Sequence, residues 1–64
     1  MVTVNGEEKD CAGMTLSDFL QSTAYDRKRI AVEQNGRIVP KAAYADTVLQ
    51  DLDVIEIVSF VGGG

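Results

Sequence analysis

The 64-residue sequence predicts an α+β domain: a mixed sheet of two hairpins plus a long C-terminal strand, with one helix packed on one face. Three observations carry this. Asn-Gly dipeptides at 5–6 and 35–36 each separate short alternating segments, and Asn-Gly accepts the positive φ that a tight hairpin turn needs. A single stretch, opening at Leu16, repeats its apolar residues at helical spacing. The longest apolar run, Val54 to Val61, is interrupted by Glu56 and Ser59. It is far too short to span a bilayer and suits a strand.

The elements follow in order. Met1 to Val4 alternates as a half-buried strand does, with Val2 and Val4 on one face. Glu7 to Cys11 returns antiparallel after the Asn5-Gly6 turn. Thr15 stands where a helix N-cap belongs, and Asp18 favours the positive end of the helix dipole. Leu16, Phe19, Leu20 and Thr23-Ala24 mark one face of a helix over about residues 16–24. Tyr25 to Arg29 is a polar connection. Ile30 to Glu33 is a strand, Asn35-Gly36 its turn, and Arg37 to Val39 the return, stopped by Pro40, which has no amide to donate. Lys41 to Thr47 holds a short helical turn, and Asp51-Leu52-Asp53 a chain reversal before the last strand. A last strand lying between two hairpins, with a helix on one face, is the β-grasp, or ubiquitin-like, arrangement. The two Asn-Gly turns read as coincident turn chemistry. The expected core is Val2, Val4, Leu16, Phe19, Leu20, Ile30, Val32, Val48, Leu49, Ile55 and Ile57, with Met14, Tyr25 and Tyr44 around its rim.

Composition narrows the function. A single domain this small buries only about 60% of its unfolded surface, so nearly every apolar side chain must serve one core. Six basic against ten acidic residues give a net charge of −4. That argues against nucleic acid, which needs clustered Lys and Arg, and for partners with basic surfaces. One Cys and no His leave no internal disulfide, no zinc site and no ordinary acid-base catalyst. No signal peptide or membrane segment is expected, and the setting reads as reducing and cytoplasmic. Cys11 reads as a small buried hydrophobe rather than a reactive thiol. What remains is binding, or serving as a substrate.

The chain ends in Gly62-Gly63-Gly64. A frayed end would account for three glycines. A chemical reading accounts for them as well: glycines pass through a channel too narrow for side chains and accept any φ it imposes. That suits a carboxylate which enters another protein's active site. On this reading residues 1–61 form the domain and 62–64 a flexible tail.

Here the sequence resembles the ThiS-type sulfur carriers of thiazole formation in thiamine biosynthesis. The resemblance runs through Val4-Asn5-Gly6-Glu7, Thr15-Leu16 with Leu20, and Val32-Glu33-Gln34-Asn35-Gly36. It continues through Ile38-Val39-Pro40-Lys41 and Asp53-Val54-Ile55-Glu56-Ile57-Val58 to Val61-Gly62-Gly63-Gly64. Family members usually carry Arg where Lys41 stands, and Gly-Asp where this chain has the bulkier Leu52-Asp53. The resemblance implies a protein substrate rather than an enzyme, binding no cofactor or metal itself. A ThiF-like adenylyltransferase, using ATP and magnesium, would adenylate the Gly64 carboxylate. Persulfide sulfur, supplied from cysteine by a desulfurase, would convert it to a thiocarboxylate. A ThiG-like thiazole synthase would take the sulfur. Gly62 and Gly63 would enter the partners' active sites.

On the last strand Ile55 and Ile57 should face the core, so Val54, Glu56, Val58 and Phe60 face away. Val58, Phe60 and Val61 are the candidate docking residues, an apolar patch beside the tail. Phe60 folding back over a core edge is the alternative. Glu33, Asp46, Asp51, Asp53 and Glu56 are candidates for steering toward basic partner surfaces, and solubility explains them equally. Arg27-Lys28-Arg29 reads as a solvated loop. Rival functions on the same scaffold are a molybdopterin-synthesis sulfur carrier, a ubiquitin-like modifier of protein lysines, and a plain binding module with an inert end.

Overall fold

The computed structural model describes residues 1–60. Five strands form one mixed sheet: β1 (Val2–Val4), β2 (Glu7–Lys9), β3 (Ile30–Gln34), β4 (Arg37–Val39) and β5 (Val54–Ser59). Their spatial order is β2-β1-β5-β3-β4. β5 is central, parallel to β1 and antiparallel to β3, and the two hairpins flank it. One helix, α1 (Leu16–Gln21), covers one face. This is the β-grasp arrangement expected.

Both hairpins turn as their dipeptides require. Asn5 and Gly6 have φ of 49° and 83°, and Asn35 and Gly36 have φ of 53° and 83°. Positive φ at both central positions matches the right-handed twist of the flanking strands. The third non-glycine residue at positive φ is Leu52, at φ 72° and largely exposed. The turn before β5 thus keeps a geometry suited to glycine while carrying a leucine. Left-handed backbone costs a residue with a Cβ about 1–2 kcal/mol, partly offset by glycine's greater loss of chain entropy. Leu52→Gly is therefore expected to stabilise the domain by about 0.5–1 kcal/mol. A urea midpoint that stays put or falls would show that the turn stores no such strain.

Six residues make too short a helix to persist alone. α1 exists because its orphan donors are met from outside. The Leu16 and Ser17 amides donate to the carbonyls of Thr47 (2.7 Å) and Tyr44 (3.0 Å). The Asp18 amide donates to Thr15 Oγ1 at 3.1 Å, and the Phe19 amide to the Thr15 carbonyl at 3.0 Å. The Phe19 bond is the first of the helix's own ladder; the Leu16, Ser17 and Asp18 amides, which have no partner within it, are each satisfied. The helix stops at Gln21, short of the expected Ala24. Ser22 and Thr23 turn their hydroxyls back onto the Phe19 and Leu20 carbonyls, at 2.6 and 2.7 Å. Such side-chain bonds compete with helix continuation.

Other boundaries also differ from expectation. β2 ends at Lys9 rather than Cys11, and all three of its residues are exposed. β5 ends at Ser59, and Val61 lies outside the described residues. Arg27–Arg29 is a 3₁₀ turn capped by the Asp26 carboxylate, which accepts from the Lys28 amide at 2.9 Å. A second 3₁₀ turn, Lys41–Ala43, falls where the short helical turn was expected.

The core holds Val2, Val4, Leu16, Phe19, Leu20, Ile30, Val32, Leu49, Ile55 and Ile57, as expected, together with Cys11, Val39 and Tyr44. Met14 and Tyr25 pack on its rim. Two expectations need correcting. Val48 is exposed: Thr15 and Val48 form an antiparallel bridge, and adjacent residues of extended chain face opposite ways, so only Leu49 enters the core. Tyr44 is not on the rim but 1% exposed, because its own carbonyl holds the helix N-terminus and draws the residue under α1. Cys11 is buried and free. Burial, with Asp10 nearby, raises the pKa of its thiol, a setting unlike that of a nucleophilic thiol.

Candidate functional site

No pocket is found among the described residues; the features that point to function lie on β5 and around its end. Along β5 the side chains alternate without exception from Val54 to Val58: Ile55 and Ile57 are buried, and Val54, Glu56 and Val58 are exposed on the face opposite α1. Phe60 follows, 55% exposed rather than folded over the core. Its amide donates to the Arg29 carbonyl at 2.7 Å. That bond fixes where the chain leaves the sheet. Val61, Gly62, Gly63 and Gly64, the remaining site residues expected from sequence, lie outside the described residues.

The strand register shows who surrounds Val58 and Phe60 on the open face. Ala31 of β3 sits opposite Val58, and Glu33 sits opposite Glu56. Ile38 of β4, 72% exposed, is opposite Glu33 on its other side. The face therefore carries two facing carboxylates between apolar side chains. Like charges directly opposite on a sheet are mutually destabilising, so this pair is a cost in the free domain that a basic partner group would relieve. Only the register brings Glu33 and Glu56 together; 23 residues of sequence separate them.

Asp53 does not belong with those surface acids. It is buried, and its carboxylate accepts from Gln34 Nε2 (2.8 Å), Asn35 Nδ2 (2.9 Å) and the Gln50 amide (2.9 Å). Burial pushes its carboxyl up, but the bonds from Asn35, Gln50 and Gln34 together outweigh this and hold it below its ordinary value. Its role is to lock the turn before β5 onto the second hairpin.

The two asparagines are more than turn residues. Asn35 Oδ1 accepts from the Val54 amide at 2.8 Å, and the Asn35 amide donates to the Val54 carbonyl at 2.8 Å. Asn5 Oδ1 accepts from the Ile57 amide at 2.7 Å, and Asn5 Nδ2 donates to the Ile57 carbonyl and to Tyr25 Oη, each at 3.1 Å. The Asn5 side chain thus continues the β1 ladder where the backbone of β1 turns away. Reading both dipeptides as coincident turn chemistry misses this. A sequence signal existed, since the asparagine side-chain amide sets an N–H donor beside a C=O acceptor as a peptide group does. Pairing across 52 residues is invisible in one dimension.

The net result is a central strand pinned from both sides, leading directly into a glycine-rich end. Comparisons with known proteins agree with that geometry. Residues 2–64 match the model of the ThiS family. The chain is 43% identical over 68 residues to the sulfur carrier protein ThiS of Bacillus subtilis (strain 168), covering 100% of each. It is 44% identical over 64 residues to a thiazole synthase of Paramagnetospirillum magneticum, covering 98% of this chain. The chain spans 20% of the length of that protein and of a second thiazole synthase that it matches. A solved structure of the thiamine biosynthesis protein ThiS from Geobacter metallireducens superposes with a TM-score of 0.79 at 30% identity, over 98% of this chain and 97% of that one. With a family match running from Val2 to the last glycine and a relative of equal extent, the chain belongs to the ThiS family.

Proposed function

We propose that this protein is a sulfur carrier of thiamine biosynthesis, a protein substrate rather than a catalyst, whose Gly64 carboxylate is converted to a thiocarboxylate. The observation that carries the reading is the position of β5. The strand that both hairpins hold is the one followed, after Phe60, by Val61-Gly62-Gly63-Gly64. A rigid body thus ends in a segment with no side chain on its last three residues.

A carboxylate is a poor acyl donor because its leaving group would be oxide. The Gly64 carboxylate oxygen attacks the α-phosphorus of ATP, pyrophosphate departs, and the acyl-adenylate carries AMP as a leaving group. Sulfide attack on the acyl carbon then expels AMP and leaves the thiocarboxylate. A persulfide donor, its sulfur drawn from cysteine by a desulfurase, gives an acyl disulfide that a thiol reduces to the same product. Magnesium and the cationic groups that stabilise these steps belong to a ThiF-like adenylyltransferase. A ThiG-like thiazole synthase accepts the sulfur; two thiazole synthases that contain a segment similar to this chain support that pairing. Among the described residues no helix is long and apolar enough to cross a membrane.

The test is intact mass after incubation with the host's adenylyltransferase, ATP and sulfide. The expected gain is that of one oxygen exchanged for sulfur, absent when Gly64 is deleted. An unchanged mass, with an enzyme active on a known carrier, overturns the proposal.

Docking uses the open face, with Val58 and Phe60 as apolar contacts and Val61 continuing them toward the tail. Glu33 and Glu56 give this face the sign a basic partner surface meets. Val58→Asp is expected to weaken adenylyltransferase binding at least about tenfold, since a third charge enters a desolvated contact. The melting temperature should barely move, because Val58 is half exposed. Full affinity with an intact fold would remove this face from the interface.

A further inference from the structure

The basic side chains are not spread over this acidic protein. Five of the six lie within residues 27–41, against one acid, Glu33, in that span. The structure gathers four of them around the foot of the tail. Arg27, Lys28 and Arg29 form the exposed 3₁₀ turn whose last carbonyl accepts from the Phe60 amide. Lys41 comes to the same place from beyond β4, donating from Nζ to the Lys28 carbonyl at 3.1 Å. Arg27 lies over the Tyr44 ring, 5.7 Å from its centre, so it is held in place rather than free in solution. Asp26, 3.6 Å from Arg29, is the one acid within the turn and its cap. A protein of net charge −4 therefore places a cluster of positive side chains on the turn that anchors Phe60, on the β3 side of the chain's exit from the sheet.

We propose that this collar of Arg27, Lys28, Arg29 and Lys41 docks against an acidic rim at the mouth of the channel through which the activating enzyme admits the tail. The proposal rests on the carrier reading above. Distance selects the partner group. Gly64 is four residues beyond Phe60, and a fully extended chain advances at most about 14 Å over those four steps. With the tail extended in that channel, no arginine or lysine side chain at the foot would span that length, so the collar would meet the entrance and not the nucleotide at the reacting carboxylate. It meets whatever surrounds the entrance, and a cationic ring there is complementary to carboxylates. The open face of β5 carries the opposite sign at Glu33 and Glu56, so the two patches together orient the carrier as a dipole.

The experiment measures adenylation of the full chain by the host's adenylyltransferase as a function of salt, separating KM from kcat. In Arg27→Gln/Lys28→Gln/Arg29→Gln, KM should rise about tenfold at low salt with kcat unchanged, because rim charges govern encounter. The difference should fade toward molar salt, where the screening length drops to about 3 Å. Lys28→Gln/Lys41→Gln, which leaves the Arg27–Tyr44 contact alone, should show a smaller shift in the same direction if the triple variant is unstable. Lys9→Gln on β2, at the far edge of the sheet, should leave KM as it is. Equal KM values for all variants and the wild type, or an equal rise in Lys9→Gln, overturn the collar while leaving the carrier reading intact. A wild-type chain that an active enzyme does not adenylate overturns both.

Discussion

Leu20→Ala is expected to abolish most of the folded population at 37 °C. Leu20 is 1% exposed and sits between α1 and the sheet, in the same core as Leu16, Ile30, Val32 and Ile55. Truncating a buried leucine costs about 2–5 kcal/mol through lost transfer energy and the cavity left behind. A single core in a domain of this size supplies about 3–5 kcal/mol in all. The two magnitudes are comparable, so one substitution removes nearly the whole margin. Circular dichroism against temperature reads the result: a melting point within a few degrees of wild type would mean that the helix repacks over the gap. The fold also has little redundancy. The first two amides of α1 are satisfied by the segment around Tyr44 and Thr47, so loosening the helix releases that segment too.

Asp53→Asn is expected to destabilise the domain by about 2–3 kcal/mol at neutral pH, the scale for a hydrogen-bonded buried charge whose partners are left unmatched. The carboxylate accepts from three donors. An amide in its place must aim its own NH₂ at one of them. The pH dependence separates this from a general packing defect. The folded-state pKa of Asp53 lies below its unfolded value. The unfolded chain therefore binds the proton first as pH falls. The stability this carboxylate contributes is complete above the unfolded value and is lost as pH falls through the folded one. Urea unfolding of both proteins at pH 7 and near pH 3 should show the gap between them narrowing in acid. A gap of constant size would mean that the loss comes from shape and not from the charge.

Neither effect touches the tail. Leu20 and Asp53 act on whether β5 is held in place. Gly64 deletion and Val58→Asp act on what the held strand presents. A stability measurement therefore separates the two classes before any partner is added.

Much of this was legible in the sequence because the governing physics is local. The Asn-Gly turns, the Thr15 cap, the helical spacing of Leu16, Phe19 and Leu20, and the alternation along Val54 to Val58 each depend on a few neighbouring residues. So do the expected exposure of Val58 and the burial of Cys11. The glycine end, with the motifs leading to it, was enough to point to the family. Failures arose where a residue's role depended on a distant partner. Val48 and Leu49 are equally apolar, and the bridge from Thr15 to Val48 decides which one enters the core. Asp53 reads like any surface acid until Gln34 and Asn35 arrive across the sheet. Glu33 and Glu56 are unrelated until the β3–β5 register sets them opposite each other. The collar at the foot of the tail needs Lys41 to fold back onto the turn at Lys28. Backbone preference and hydrophobic period act over a turn or two of chain and are written in order along it. Which carboxylate is buried, which like charges face, and which sign surrounds the exit depend on through-space terms that do not exist until the chain has closed.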